Sequence, residues 1–235
     1  MESGASAASV EQIVIAVASG LGAHQVDLRV GYASLAITIS IDGNSITRMR
    51  KVGHLGVNER VDQAIRHLAA KVSLGHMTVG ETRAALDRLP AQTPRHSALI
   101  TAVAVGLACA AFGRLLKVDW IGTGPVFVAA TIGQLVRREL ATRHVNAFIN
   151  ASLVAFLGAL LSGWGARLAG SDTVATAMIA AILLLVPGVP SLNAQNDILD
   201  GRPTLGSARA VWVAIVLVFV TAGLWLAQVI LEEII

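Results

Sequence analysis

The sequence predicts an α-helical membrane protein with five transmembrane helices preceded by a small cytosolic α+β domain. Composition points there first: the chain of 235 residues is 54% hydrophobic and only 14% charged, against roughly 25% charged in soluble domains, and its mean hydropathy is +0.68. Charge placement is the second observation. Residues 1–96 hold ten Lys/Arg and eight Asp/Glu, whereas the longer remainder holds eight and seven. Periodicity is the third. Up to residue 96 the pattern is that of short strands and amphipathic helices, and after it come long apolar runs separated by short basic loops. These observations divide the chain into a cytosolic α+β domain, residues 1–96, and a five-span transmembrane domain, residues 97–235.

In the front domain, VEQIVIAVASGLG (Val10 to Gly22) repeats its apolar residues at helical spacing and closes on glycine, as helix C-termini do. Val26 to Val30 and Ser34 to Ile41 alternate apolar and polar residues, and Asp42-Gly43-Asn44 supplies the residues of a tight hairpin before a third strand, Ser45 to Val52. Val57, Val61, Ile65, Leu68 and Val72 mark one face of a helix. Thr78-Val-Gly-Glu81 has the form of a capping box at the start of a helix running to Leu89. The expected order is α-β-β-β-α-α. The opening MESGASAASVEQ lacks the basic and apolar segments of a secretory signal, so the front end is expected to stay cytosolic.

Several function classes are disfavoured. A net charge of +3, evenly mixed, does not suggest a nucleic-acid partner. Cys109 is the single cysteine and lies in an apolar run, so no internal disulfide or cysteine metal site is expected. His24, His54, His67 and His76 show no metal-ligand spacing on one helix face, and Val30-Gly31-Tyr32 and Val52-Gly53-His54 are ordinary turn glycines. No phosphate loop, GxSxG elbow or HExxH motif occurs, and the apolar runs hold no nucleophile–base pair. No cofactor, metal or enzymatic activity is therefore expected.

The membrane part begins after Pro94-Arg95-His96, which breaks the preceding helix. Its spans are placed at about 97–116, 120–136, 147–166, 173–190 and 210–230. Arg137, Arg138 and Arg143 crowd the loop after the second span, and Arg202 and Arg209 flank the loop before the fifth, with Arg114, Lys117 and Arg167 on the other side. Basic residues favour the cytosolic side, which puts the front domain inside and the C-terminus outside. Small residues recur every fourth position in the first span (Ala98, Ala102, Gly106, Ala110) and the third (Ala147, Ala151, Ala155, Ala159, Gly163), allowing close helix approach. Static packing is the plainer reading of these ridges and a sliding interface the functional one.

The fourth span carries the candidate site. Thr173 to Val186 gives about 21 Å of helix, short of a hydrocarbon core of about 30 Å. The break at Pro187-Gly188-Val189-Pro190 thus falls inside the membrane and leaves the carbonyls near Leu183 to Val186 without helical partners, to be covered by protein or a water-filled cavity. Beyond it Asn193, Asn196, Asp197 and Asp200 stand at i, i+3, i+4 and i+7, one polar helix face. Two readings follow from these residues alone: a discontinuous helix lining a substrate path, or a helix terminus followed by an interfacial loop.

Pro187-Gly188-Val189-Pro190, Asn193, Asp197 and Gly201 resemble the PGvPltNaxrDllsGd signature of the threonine/serine exporter family, in its split type with a separate large N-terminal subunit. The likeness runs along almost the whole chain. Gln195 and Asn196 depart from it, standing where relatives tend to have an apolar residue and Arg, and Asp200-Gly201-Arg202 replaces a Ser-Gly-Asp-like ending.

The resemblance implies the large subunit of a two-component exporter in a bacterial inner membrane, a secondary transporter of threonine and serine or of a dicarboxylate such as succinate. It also implies a smaller membrane subunit of four or five spans as partner. A homo-oligomer is compatible with it. The substrate path would then be shaped by Pro187, Gly188, Pro190, Asn193, Asn196 and Asp197, with Asp197 or Asp200 as proton site and Gln134, Asn146 and Asn150 as weaker polar contacts. The alternative is a membrane-anchored scaffold or sensor whose cytosolic domain binds a ligand or partner.

Overall fold

The computed structural model describes residues 1–41, 44–53, 56–93 and 96–233. In chain order the elements are α1 (Ala7–Gly20), β1 (Gln25–Val30), β2 (Ser34–Ile41), β3 (Asn44–Lys51), α2 (Glu59–Ser73), α3 (Val79–Gln92), α4 (Ala98–Leu115), α5 (Trp120–Thr142), α6 (Ala147–Leu168), α7 (Val174–Ala181), a 3-10 turn (Leu183–Leu185), α8 (Gly188–Leu199) and α9 (Pro203–Glu233). They form two compact units. The first comprises Met1–Arg95 with Gly188–Trp212, the second His96–Pro187 with Val213–Ile235.

The first unit shows the α-β-β-β-α-α order expected of the front domain. Its sheet is an antiparallel meander in which Gln25 pairs with Ser40 and Ser34 with Lys51. Ile41 pairs with Asn44, while the Asp42-Gly43 part of the expected hairpin turn lies outside the described residues, as do His54 and the Pro94-Arg95 break. Helix α3 has the capping box in full: the Thr78 hydroxyl accepts from the Glu81 amide, and the Glu81 carboxylate accepts from the Thr78 amide. Helix α1 approaches α2 at Gly20, where a β-carbon would stand 2.3 Å from the Val72 carbonyl oxygen. Small and medium residues make the core, among them Ala7, Ala18, Ala69, Val72 and Leu89.

Segment 188–212 belongs to this first unit by its contacts, although it was expected within the transmembrane domain. Helix α8 closes in a Schellman motif: the Arg202 amide donates to the Asp197 carbonyl, the Gly201 amide to the Ile198 carbonyl, and Gly201 takes φ +77°. Pro203 then opens α9 at a position where no backbone donor is needed. The helix that carries the expected 210–230 span thus starts at Pro203.

In the second unit, α5 packs against α4, α6 and α7. Its buried face is built from Gly122, Val126, Ala129, Ala130 and Gly133. Gly106 of α4 meets this helix so closely that a β-carbon would come 2.8 Å from the Phe127 carbonyl oxygen, and the small residues Ala151, Ala155, Ala159 and Gly163 of α6 are buried. The far ends of the helices are tied by Asp119. Its carboxylate accepts from the Gly122 amide at 2.6 Å, from the Ser171 hydroxyl at 2.8 and 2.9 Å and from the Asp172 amide at 2.9 Å. These donors hold its pKa below the ordinary aspartate value, the Gly122 amide most of all.

Among the described residues three helices are long and apolar enough to cross a membrane: α4, α6 and α9. The segments Val174–Leu185 and Gly188–Leu199 meet the same test as a pair bent by 64°, which makes four if the pair is one span. The expected count of five is not reached by this measure. Helix α5 is not among the candidates because its Gly122-to-Pro125 start, Gln134 and Arg137-Arg138 dilute its apolar run.

Candidate functional site

The break in the fourth apolar segment is local chemistry. Helix α7 is only eight residues long, and a 3-10 turn tightens its end, with the Leu185 amide donating to Ile182 and the Val186 amide to Leu183. Pro187 forces Val186 to an extended conformation, φ −65° and ψ 119°. A new helix begins at Gly188, and Pro190 falls in its first turn, where a missing donor costs nothing. The expected uncovered carbonyl is covered by protein: Arg137 Nη1 donates to the Leu184 carbonyl at 3.1 Å. Asn150, buried in α6, donates from Nδ2 to the Arg137 carbonyl at 3.0 Å, and its Oδ1 is buried with no hydrogen-bond partner.

The polar face of α8 divides lengthwise. Asn196 and Asp200 are exposed, whereas Asn193 is half-buried and Asp197 is fully buried. Asp197 Oδ2 receives Arg209 Nη1 at 2.5 Å, an ion pair of which the arginine is 4% exposed. Asp197 Oδ1 faces the amide of Ala7 at 3.4 Å. Ala7 is the first residue of α1, so this carboxylate sits at a helix N-terminus, where free amides and the helix dipole favour negative charge. One turn earlier on α8, Asn193 Nδ2 donates to the Gly4 carbonyl at 2.8 Å. Arg202 pairs with Glu11 of α1, and its Nη1 lies 3.6 Å from Asp200.

Asn193 and Asp197 are therefore brought together, with Arg209 and the residues leading into α1, inside the first unit. The other expected site residues are placed differently. Gly188 is exposed and nothing lies within 4 Å of where its β-carbon would be. Asn146 is an exposed N-cap that accepts from the Phe148 amide, and Gln134 is half-buried on α5. No cluster that could hold a metal occurs among the described residues.

Arg209 and Glu11 were missed as site residues. Arg209 counts in the sequence only as a topology charge, yet an isolated arginine just before an apolar run, 12 residues after an aspartate, is the trace its ion pair leaves. Losing either partner would strand a buried charge, at a cost of about 3–5 kcal/mol, whereas a matched apolar pair would be roughly neutral. What the arrangement can do chemically is hold a carboxylate between a guanidinium and a helix N-terminus.

A small α+β unit joined to apolar helices, one of them broken at a Pro-Gly pair and continuing as a polar face, defines the class of helical membrane proteins with a discontinuous helix. Within that class the chain belongs to the threonine/serine exporter family, described as "Putative threonine/serine exporter", which matches residues 1–231. Among curated proteins it is similar to two proteins named "Probable succinate transporter subunit YjjP". With that of Klebsiella aerogenes it shares 30% identity over 211 residues, 89% of this chain and 81% of the relative. With that of Escherichia coli strain K12 the identity is 32% over 211 residues, with the same coverage. No solved structure matches the chain.

Proposed function

We propose that this chain is the large subunit of a two-component exporter that moves a small dicarboxylate such as succinate, or threonine and serine, out across the bacterial inner membrane by secondary transport. The observation carrying this reading is the similarity over 89% of the chain to relatives named as subunits of a succinate transporter. A subunit implies a second chain, and the expected partner is a smaller membrane protein with four or five spans.

On this reading α4, α5, α6, the bent α7–α8 pair and α9 act as five spans. Arg137, Arg138 and Arg143 lie on the cytosolic side, and the front domain is cytosolic. The path for substrate is shaped by Pro187, Gly188, Pro190, Asn193, Asn196 and Asp197. Asp197, ion-paired, and Asp200, exposed, are the carboxylates available to carry a proton. Gln134, Asn146 and Asn150 are weaker polar candidates in the second unit.

The test is export of labelled succinate, threonine and serine from proteoliposomes holding this chain with a candidate partner, a small membrane protein of four or five spans from the same organism, or either alone. Export only from the pair supports the reading. Full export by this chain alone removes the two-component claim, and no export of any of the three by the pair returns the scaffold-or-sensor alternative. Orientation is read from cysteines placed at Asp172 and Thr142, both exposed: Asp172→Cys should label from outside and Thr142→Cys only after permeabilisation.

A further inference from the structure

We propose that the place now filled by the Asp197 carboxylate is the carboxylate-recognition site of this exporter, with Arg209 as its specificity-determining residue and Asp197 as a built-in competitor. The proposal rests on the dicarboxylate reading above and adds the group that recognises the substrate. Three features of the first unit carry it. The guanidinium of Arg209 and the carboxylate of Asp197 meet at 2.5 Å and are 4% and 0% exposed, so the site is shaped and screened from water. A guanidinium is the side chain best matched to a carboxylate, since its planar fork can donate two parallel hydrogen bonds. On its other side the carboxylate meets the Ala7 amide at the start of α1, a second anion-favouring group. A carboxylate is thus already held here, by one arginine donor on Oδ2 and the Ala7 amide facing Oδ1.

Stability does not account for the pair, because a buried ion pair is commonly no better than an apolar pair of the same size, and among the described residues the buried ones of this unit are mostly Ala, Val and Leu, with Asp62 and Thr82 as its other buried polar side chains. Residues 4–7 meet the pair and its helix through two ties, the Ala7 amide 3.4 Å from Asp197 and one neutral hydrogen bond from Asn193 to the Gly4 carbonyl. The residues before them are anchored elsewhere in the same unit: the Glu2 carbonyl accepts from the Gly56 amide, the Ser3 carbonyl from the Asn58 amide and the Glu2 carboxylate from the Gly53 amide. Glu11 of α1 pairs with Arg202. When residues 4–7 draw back, Asp197 can turn from Arg209 and a substrate carboxylate can take its place. Return of Asp197 then displaces the substrate.

The experiment measures succinate export by the two-subunit complex carrying Arg209→Gln, Asp197→Asn or both, each normalised to protein in the membrane. The expected result is a loss of at least tenfold in kcat/KM for Arg209→Gln, a severalfold lower KM for Asp197→Asn because the internal competitor is gone, and no recovery in the double variant. A purely structural ion pair would behave otherwise: the single variants would fail alike, and the double variant, with no stranded charge, would recover export. That recovery, or an unchanged KM in Arg209→Gln, overturns the proposal. If a single variant does not accumulate, Asp197→Leu combined with Arg209→Met removes both charges at similar volume; its export of succinate at the wild-type level overturns the proposal and its loss of export with normal accumulation supports it. Absence of succinate export from the wild-type complex is a different failure, since it removes the dicarboxylate reading itself and this assignment with it.

Discussion

Gly206 meets Ile198 through the side chain it lacks: a β-carbon on Gly206 would stand 2.5 Å from Ile198 Cγ1 and 2.7 Å from the Ala194 carbonyl oxygen. The start of α9 therefore lies directly on α8, and one turn further on Arg209 reaches Asp197. Gly206→Val should push the two helices apart, destabilise the chain by about 1–3 kcal/mol, and lower the melting temperature of the purified protein by several degrees. Gly188→Leu is the contrasting variant, because its new side chain enters open space. Its melting should be unchanged, so any loss of export there is an effect on transport alone. An unaltered melting temperature in Gly206→Val would show that the helices are not held together at this point.

Local chemistry was legible in the sequence and distant pairing was not. The Thr78–Glu81 capping box, the meander of three strands and the break at Pro187 each depend on residues a few positions apart. By contrast Asn193 bonds to Gly4 across 189 positions and Asp197 to Ala7 across 190, so no periodicity could show that half of the α8 polar face is turned into packing. The same spacing argument places Asn193, Asn196, Asp197 and Asp200 along one face; α8 ends at Leu199, so Asp200 falls just past it, and spacing does not say which edge of that face is covered. The apolar run places the fifth span at about 210–230, while the helix that carries it opens earlier, at Pro203, where Gly206 allows the close approach to α8. In the sequence Arg137 shows only as a charge that orients the chain, and its hydrogen bond to Leu184 depends on α5 lying beside the 3-10 turn.

Lys117 and His144 are non-glycine residues at φ 68° and φ 56°. Each sits just past a helix end and closes it: the Val118 amide donates to the Gly113 carbonyl, and the Val145 amide to the Leu140 carbonyl. Glycine adopts this left-handed conformation without the steric cost that other residues bear. Lys117→Gly and His144→Gly should each stabilise the protein by about 0.5–1 kcal/mol after the extra entropy of the unfolded glycine is counted. Thermal melting of the single and double variants checks this. A lower melting temperature in both would mean that the side chains contribute more than the backbone strain costs.

Glu81 accepts from the Thr78 amide at 2.8 Å and the Thr78 hydroxyl at 2.9 Å, which holds its pKa below the ordinary glutamate value, the backbone hydrogen bond contributing most. A carboxyl group whose folded pKa is depressed stabilises the fold fully above its unfolded pKa and loses that contribution as pH falls through the folded value. Amides in the first turn of α3 should therefore lose hydrogen-exchange protection on acidification below the ordinary glutamate range, relative to amides of α2. Glu81→Gln keeps an acceptor for both donors but cannot titrate, so its first-turn protection should no longer vary over that window. Identical pH profiles in the two proteins would show that the capping carboxylate does not govern the end of this helix.

Arg137 closes the question of how a chain can interrupt a helix among apolar neighbours. Its guanidinium donates to the Leu184 carbonyl, and its own carbonyl accepts from Asn150 Nδ2 at 3.0 Å, so α5 links the 3-10 turn to α6. Arg137→Ala would leave the Leu184 carbonyl without this donor, at a cost of about 0.5–1.5 kcal/mol for the lost hydrogen bond, and free the turn to rearrange. The expected outcome is normal membrane insertion with a lower melting temperature and reduced export, partly restored in Arg137→Lys, which keeps one donor but not the planar fork. Asn150→Ala removes the second link, and because both side chains serve one network their effects should be non-additive by about 0.5–3 kcal/mol in a double-mutant cycle. Strictly additive losses would mean that the two hydrogen bonds act independently. Wild-type melting and export in Arg137→Ala would mean that the break at Pro187 is supported by something other than this arginine.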